Sequence, residues 1–248
     1  MFTQADCGKR KVIYKSATGE KAKISGALHI ESERILKDEE KNIYEIDVPV
    51  GTKSRQLFVN GVRATRARSK ETLQNCTTDA SGHTTTDTFL ADFEKIKDLE
   101  MVYSSKWLHM RCGVQDISVS DGVATITMDD VWEKRYDPSE SSRPKTPQYY
   151  ENAYELLDEE GEWYLDEDIH KLYYIPRAYE DIHTADIVMP TLERLIEMQG
   201  TYEKHISNIT FENIEFCYTT WMRPGSEKGY MVRQNNTLEI EGYEGEGS

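Results

Sequence analysis

The sequence predicts a mainly β chain, and three observations predict it. Short runs rich in Val, Ile, Tyr, Phe and Thr recur from Val12 to Cys217, many of them closed by Gly, Pro, Asn or Asp. Asn60-Gly61 and Asp121-Gly122 sit between such runs, where tight hairpins are expected. The stretch His205 to Cys217 breaks the strand period once. Ile209 and Phe211 share a strand face, as do Ile214 and Phe216, but the step between the pairs is three residues. One flat strand would turn the second pair to the opposite face. A bend at Glu212-Asn213 returns both pairs to one interior, and Asn tolerates the left-handed backbone such a bend needs. Two short strands joined by a bend form part of a coil of a parallel β-helix. An ordinary antiparallel segment accounts for the same residues.

Taken in order, Val12 to Tyr14 form a short strand, Thr18-Gly19-Glu20 a turn, and Ala22 to Ser25 a second strand before Gly26. Residues 43–48 alternate partly and stop at Pro49. Arg55 to Arg68 hold the first hairpin. Residues 69–88 are polar, rich in Thr and Ser and without period, so a loop or mobile insertion is expected. Phe89, Leu90, Phe93 and Ile96 recur at helical spacing and predict a short helix. Met101 to Tyr103 return to strand. Ile117 and Val119, then Ala124, Ile126 and Met128, make the second hairpin. Pro138, Pro144 and Pro147 mark residues 133–152 as an exposed connection. Trp163 to Leu165 and Leu172 to Ile175 form a third strand pair closed by Pro176, with Trp163 in the core. Leu192, Leu195 and Ile196 have helical spacing, but they lie between strand signals and end at Gly200, so no helix is assigned there. No self-repeat of about 20–25 residues runs along the chain.

Composition narrows the partners. The formal charge of −15 argues against nucleic acid, whose backbone needs clustered Lys and Arg, and against anionic lipid. Cys7, Cys76, Cys112 and Cys217 show no CxxC spacing, hence no simple zinc motif and no disulfide framework. The six histidines include no HxxxH or HExxH, so no metal and no cofactor is expected. No apolar run approaches the ~20 residues of a membrane span. The first residues lack a basic region followed by an apolar one, so no secretion signal is visible. A complete chain would then be cytoplasmic; a piece of a secreted protein would be periplasmic or extracellular.

Three blocks coincide in order: RQLFVNGVRATRAR from Arg55, GEWYLDEDIHKLYYIP from Gly161, and GTYEKHISNITFENIEFCYTTW from Gly200. With KVIYKSATGEKAKISG from Lys11, they resemble the bacterial right-handed parallel β-helix proteins of carbohydrate metabolism, which are pectate-lyase-like in fold and include glycoside hydrolases acting on plant and host glycans. Asp168-Ile169-His170 departs from the Gly-containing turn usual there, so a looser hairpin is expected. The resemblance implies a partial right-handed parallel β-helix with an inserted, sandwich-like β-rich domain and one or two short helices. It implies first coils over 1–68, the insertion over 69–185, and a return to the β-helix with a flexible tail over 186–248, where Gly242, Gly245 and Gly247 lie. The catalytic groove would run along further coils. An open β-helix end would favour self-association.

Glycosidic hydrolysis normally takes two carboxylates about 5–10 Å apart. With 45 acidic residues, no spacing singles out a pair. Asp129-Asp130 reads as a helix cap or solvated turn, and Asp166 and Asp168 flank a turn. Arg63, Arg66 and Arg68 make a positive stripe, with Arg66 and Arg68 on one strand face. They can grip a sugar through forked hydrogen bonds or pair with nearby acids. Of Trp107, Trp132, Trp163 and Trp221, Trp221 beside Arg223 is the best placed to stack on a sugar ring. The candidate carbohydrate contacts are therefore Arg66, Arg68, Trp221 and Arg223.

Overall fold

The structure is a computed structural model that describes residues 1–8, 10–105, 108–135 and 145–226. Trp107, Pro138, Pro144 and the expected glycine tail lie outside the described residues. The first strands are β1 (Val12–Lys15), β2 (Ala22–Ser25), β3 (Ala27–His29), β4 (Arg34–Asp38) and β5 (Ile43–Asp47). Next come β6 (Phe58–Val59), β7 (Val62–Arg63), β8 (Thr65–Arg66), β9 (Thr77–Thr78) and β10 (Gly82–Thr85). β11 (Glu100–Ser105), β12 (Leu108–Ser120) and β13 (Val123–Met128) lead to α1 (Asp130–Arg135) and β14 (Tyr149–Glu151). The chain continues through β15 (Glu162–Asp166), β16 (Lys171–Tyr174), β17 (Ile187–Pro190), β18 (Ile209–Glu212) and β19 (Ile214–Cys217). No helix among the described residues is long and apolar enough to cross a membrane.

The fold is mainly β with very little helix, as expected. Its sheets are mostly antiparallel, which is not the stacked-coil pattern of the expected parallel β-helix. One sheet has six strands in the order β14-β11-β12-β13-β10-β9, a second has five in the order β4-β5-β16-β15-β8, and a third has four in the order β3-β17-β6-β7. Among the described residues, parallel strand pairing joins β1 with β18, β2 with β19, and β8 with β15, and a single parallel bridge joins Phe2 to Met198. The physical reason lies in the turns. Asn60 and Gly61 take φ of 51° and 76°, and Asp121 and Gly122 take 51° and 76°, the paired left-handed conformation that closes a two-residue antiparallel hairpin. His170 takes φ 57° itself, and Asp166 Oδ1 accepts from the backbone N–H groups of Asp168 and Ile169 at 3.1 and 3.2 Å. That turn is therefore closed without a glycine rather than loosened.

Two sequence expectations are corrected. Residues 69–88 are not loop throughout: within them β9 and β10 complete the six-stranded sheet, with His83 and Thr85 buried. Thr suits a pleated strand, and the buried polar groups find partners, so the stretch needs no apolar pattern. His83 Nδ1 meets Thr78 Oγ1 at 2.9 Å and its Nε2 meets the Tyr103 hydroxyl at 2.5 Å. The expected helix at Phe89 to Ile96 is two 3-10 turns, Thr88–Asp92 and Ile96–Asp98. Neither begins with a side-chain cap.

Two buried clusters share one sheet. The first gathers Leu90, Met101, Tyr103, Met110, Ile126 and Trp132 under the six-stranded sheet, and its buried members all fall between Ile43 and Ile175. The second gathers Ile46, Leu57, Val59, Ile187 and Met189. β15 and β16 lie between them. Their alternation sends Tyr164 and Tyr173 to the first cluster and Trp163, Leu165, Leu172 and Tyr174 to the second. All five residues of β15 are consequently buried.

Candidate functional site

The site begins with two like charges side by side. Glu100 opens β11 and Glu151 closes β14, and the antiparallel register sets them directly opposite each other. Directly opposed carboxylates repel. Three arginines offset this. Arg55 clamps Glu100 with Nη1 on Oε1 and Nη2 on Oε2, each at 2.5 Å. Arg66 on β8 donates from Nη1 to Glu100 Oε2 at 3.1 Å and to Glu151 Oε1 at 2.9 Å. Arg111 on β12 donates from Nε to Glu151 Oε1 at 2.8 Å. Burial pushes the Glu100 carboxyl up, but the Arg55 hydrogen bonds and the charges of Arg66 and Arg55 override it and hold it down at about 2.

An open cavity of about 410 Å³ lies over this network. Arg55, Arg63, Arg66, Arg68 and Arg111 line it, with His109, Tyr149, Glu151 and Trp221. Counting Glu100, five guanidinium groups meet two carboxylates, so the wall is positive in a chain of formal charge −15. Arg68 holds its guanidinium over the Tyr149 ring, 5.2 Å from the centroid. His109 Nε2 lies 2.8 Å from Arg111 Nη1, which can only donate, so Nε2 accepts and Nδ1 carries the proton towards Ser104 Oγ at 2.9 Å. Burial and then the Arg111 charge lower the His109 pKa, consistent with that neutral ring.

Of the four candidate contacts, Arg66, Arg68 and Trp221 meet at this cavity although their numbers span more than 150 positions. Arg66 is tied to both glutamates, whereas the Arg68 guanidinium has no carboxylate partner among the described residues; only its backbone N–H donates to a carboxylate, Glu162 Oε1, at 3.3 Å. Trp221 is 45% exposed. Its neighbour Thr220 is buried, accepting the Arg55 backbone N–H at 3.4 Å. Arg223 does not line the cavity; it pairs with Glu193 at 3.3 Å. Trp132 and Trp163 are buried.

Sequence reasoning missed Arg55, Glu100, Arg111, Tyr149 and Glu151. Arg55 stood in the first block of the resemblance without being singled out. Glu100, Arg111 and Glu151 come together only through cross-strand register, which no local spacing encodes. The carboxylates at Asp166 and Asp168 are bridged by Lys95 Nζ at 2.6 and 2.7 Å. Asp129 caps α1, accepting the Trp132 backbone N–H at 3.1 Å. Among the described residues no group of three His, Cys, Asp or Glu gathers to hold a metal.

Comparison with known proteins adds identity to this geometry. No curated protein matches the chain. A solved structure described as a glycoside hydrolase superposes with a TM-score of 0.78 at 28% identity, over 93% of this chain and 42% of that one. The chain thus spans less than half the length of that hydrolase, to which it is related. The family model described as the GH141 insertion domain matches residues 42–177, the span that encloses the first core and both glutamates of the site. That match covers more than half of the chain, which therefore belongs to the GH141 insertion domain family.

Proposed function

We propose that this chain is the N-terminal portion of a glycoside hydrolase acting on plant or host glycans, and that its own part is to bind carbohydrate. The observation that carries the reading is the likeness to a glycoside hydrolase over 93% of the chain at 28% identity. Two short parallel ladders support a β-helix contribution. β1 lies on β18 and β2 on β19, and Asn213 bends the chain between β18 and β19 at φ 53°. Phe211 and Phe216, one from each strand, meet edge to face with centroids 5.6 Å apart. In this proposal the first coils run over 1–68, the insertion over 69–185 and the returning coil over 186–248. The family segment begins earlier, at residue 42.

Arg66, Arg68, Trp221 and Arg223 are proposed as carbohydrate contacts, with the cleaving carboxylates supplied outside these residues. Glu100 and Glu151 share one arginine nitrogen and so are close enough for a glycosidase pair, roughly 5–10 Å. A general acid, however, needs a raised pKa, and Glu100 is held at about 2. The same fact favours a second reading, a non-catalytic carbohydrate-binding or structural module. The experiment assays the purified chain on aryl glycosides and on plant and host polysaccharides by reducing-end release, with binding measured in parallel. No turnover with retained weak binding is expected. Turnover abolished by Glu100→Gln or Glu151→Gln would instead make this cavity the active site.

A further inference from the structure

We propose that the arginine-lined cavity takes the carboxylate of an acidic sugar, a uronic-acid residue of a glycan, with Arg63 and Arg68 as the groups that recognise the acid. The inference rests on the carbohydrate reading above and narrows it to a substrate class.

Three of the five arginines already have their charges satisfied. Arg55, Arg66 and Arg111 hold Glu100 and Glu151. The guanidinium groups of Arg63 and Arg68 line the same cavity with no carboxylate partner among the described residues. The chain has 45 acidic residues against 30 basic ones, so a concave surface with surplus guanidinium groups runs against its composition. Such a surface attracts an anion and disfavours a neutral ligand that cannot answer the charge.

Geometry selects the kind of anion. The Arg68 guanidinium, its central carbon 5.2 Å from the centroid of the Tyr149 ring, has no carboxylate partner among the described residues, and its forked N–H donors match the two oxygens of a carboxylate. Tyr149 and the half-exposed Trp221 add aromatic surface on the same wall, against which the apolar face of a pyranose packs. The volume of about 410 Å³ lies in the range of small-ligand sites. Glu151 also lines the cavity and would repel a bound acid, but Arg66 and Arg111 neutralise it. A nucleic-acid phosphate is the poorer fit, because the formal charge of −15 repels a long polyanion beyond the cavity.

The test titrates the full 248-residue chain with five probes: oligogalacturonate, a glucuronate-bearing oligosaccharide, the methyl ester of the first, a neutral galacto-oligosaccharide, and a sulfated one of equal length. At least one uronate probe is expected to bind about tenfold or more tightly than the ester and the neutral probe. Raising salt should narrow that gap. Arg68→Gln and Arg63→Gln should remove the preference while leaving the melting temperature unchanged, since both side chains are exposed. Trp221→Ala should weaken acid and ester alike. Equal binding of acid, ester and neutral sugar overturns the acid assignment and leaves the carbohydrate reading standing. Equal or tighter binding of the sulfated probe overturns the carboxylate assignment in favour of a general anion site. Binding to none of the probes overturns both readings.

Discussion

Glu100 and His83 each make stability depend on pH, in windows that can be told apart. The folded pKa of Glu100 is lowered from 4.5 to about 2, so its contribution is complete above the higher value and is lost as pH falls from there towards the lower. The shift corresponds to about 3 kcal/mol. Glu100→Gln should flatten this segment of the pH profile. It should also cost roughly 3–5 kcal/mol at neutral pH, because Arg55 and Arg66 keep their desolvated charges. His83 is a base held neutral by burial, its pKa lowered from 6.5 to about 4. The unfolded chain binds the extra proton between those values, so stability falls by about 3 kcal/mol as pH drops through that window. Urea titrations at pH 7, 5 and 3 separate the two groups. A wild-type curve without slope above pH 4.5 would show that His83 is not buried as described.

At the scale of elements, two backbone positions carry opposite expectations. Gly82 in β10 has φ +145°, and a Cβ there would meet the Ile126 carbonyl oxygen at 2.1 Å. Gly82→Ala should therefore destabilise severely by prising β10 from β13. Asn213 has φ 53° and donates from Nδ2 to the Glu20 carbonyl at 3.0 Å, so it joins the bend to the neighbouring rung. Asn213→Gly should be mild, while Asn213→Val should cost roughly 1–2 kcal/mol for a β-branched residue in left-handed backbone. Thermal melts of the three variants give the ranking. These elements also show what the sequence could reveal. The bend at Asn213, the hairpins at Asn60-Gly61 and Asp121-Gly122 and the burial of Trp163 were legible, because each follows from a local period or turn residue. β9 and β10 were not, because their inward residues are Thr and His, whose partners lie on other strands. The site was half legible: a stripe of arginines can be read along one segment, but the glutamates that oppose it arrive by long-range register.

For the whole molecule, the pairs β1–β18 and β2–β19 are two-stranded sheets whose outer edges have no partner among the described residues. Ile13, Tyr14 and Phe216 are exposed beside them. Open edges with apolar neighbours favour pairing with another copy, and self-association of this chain is accordingly proposed. Sedimentation should show mass rising with concentration, more so at high salt, which screens the repulsion of the −15 charge. A monomer under those conditions would count against it.

The sheet of β15 and β16, dry on both sides, has a consequence for modularity. A cassette inserted into a host fold is often imagined as removable, with its own melting point. Here the strands that floor one core are the ceiling of the other. Heating should therefore give one calorimetric transition, with the van't Hoff enthalpy equal to the measured one. Excising residues 42–177 would strip the cover from Trp163, Leu165, Leu172 and Tyr174, and the severed piece should aggregate rather than fold. The sheet of β15 and β16 is a party wall, and the two cores it divides should fall together.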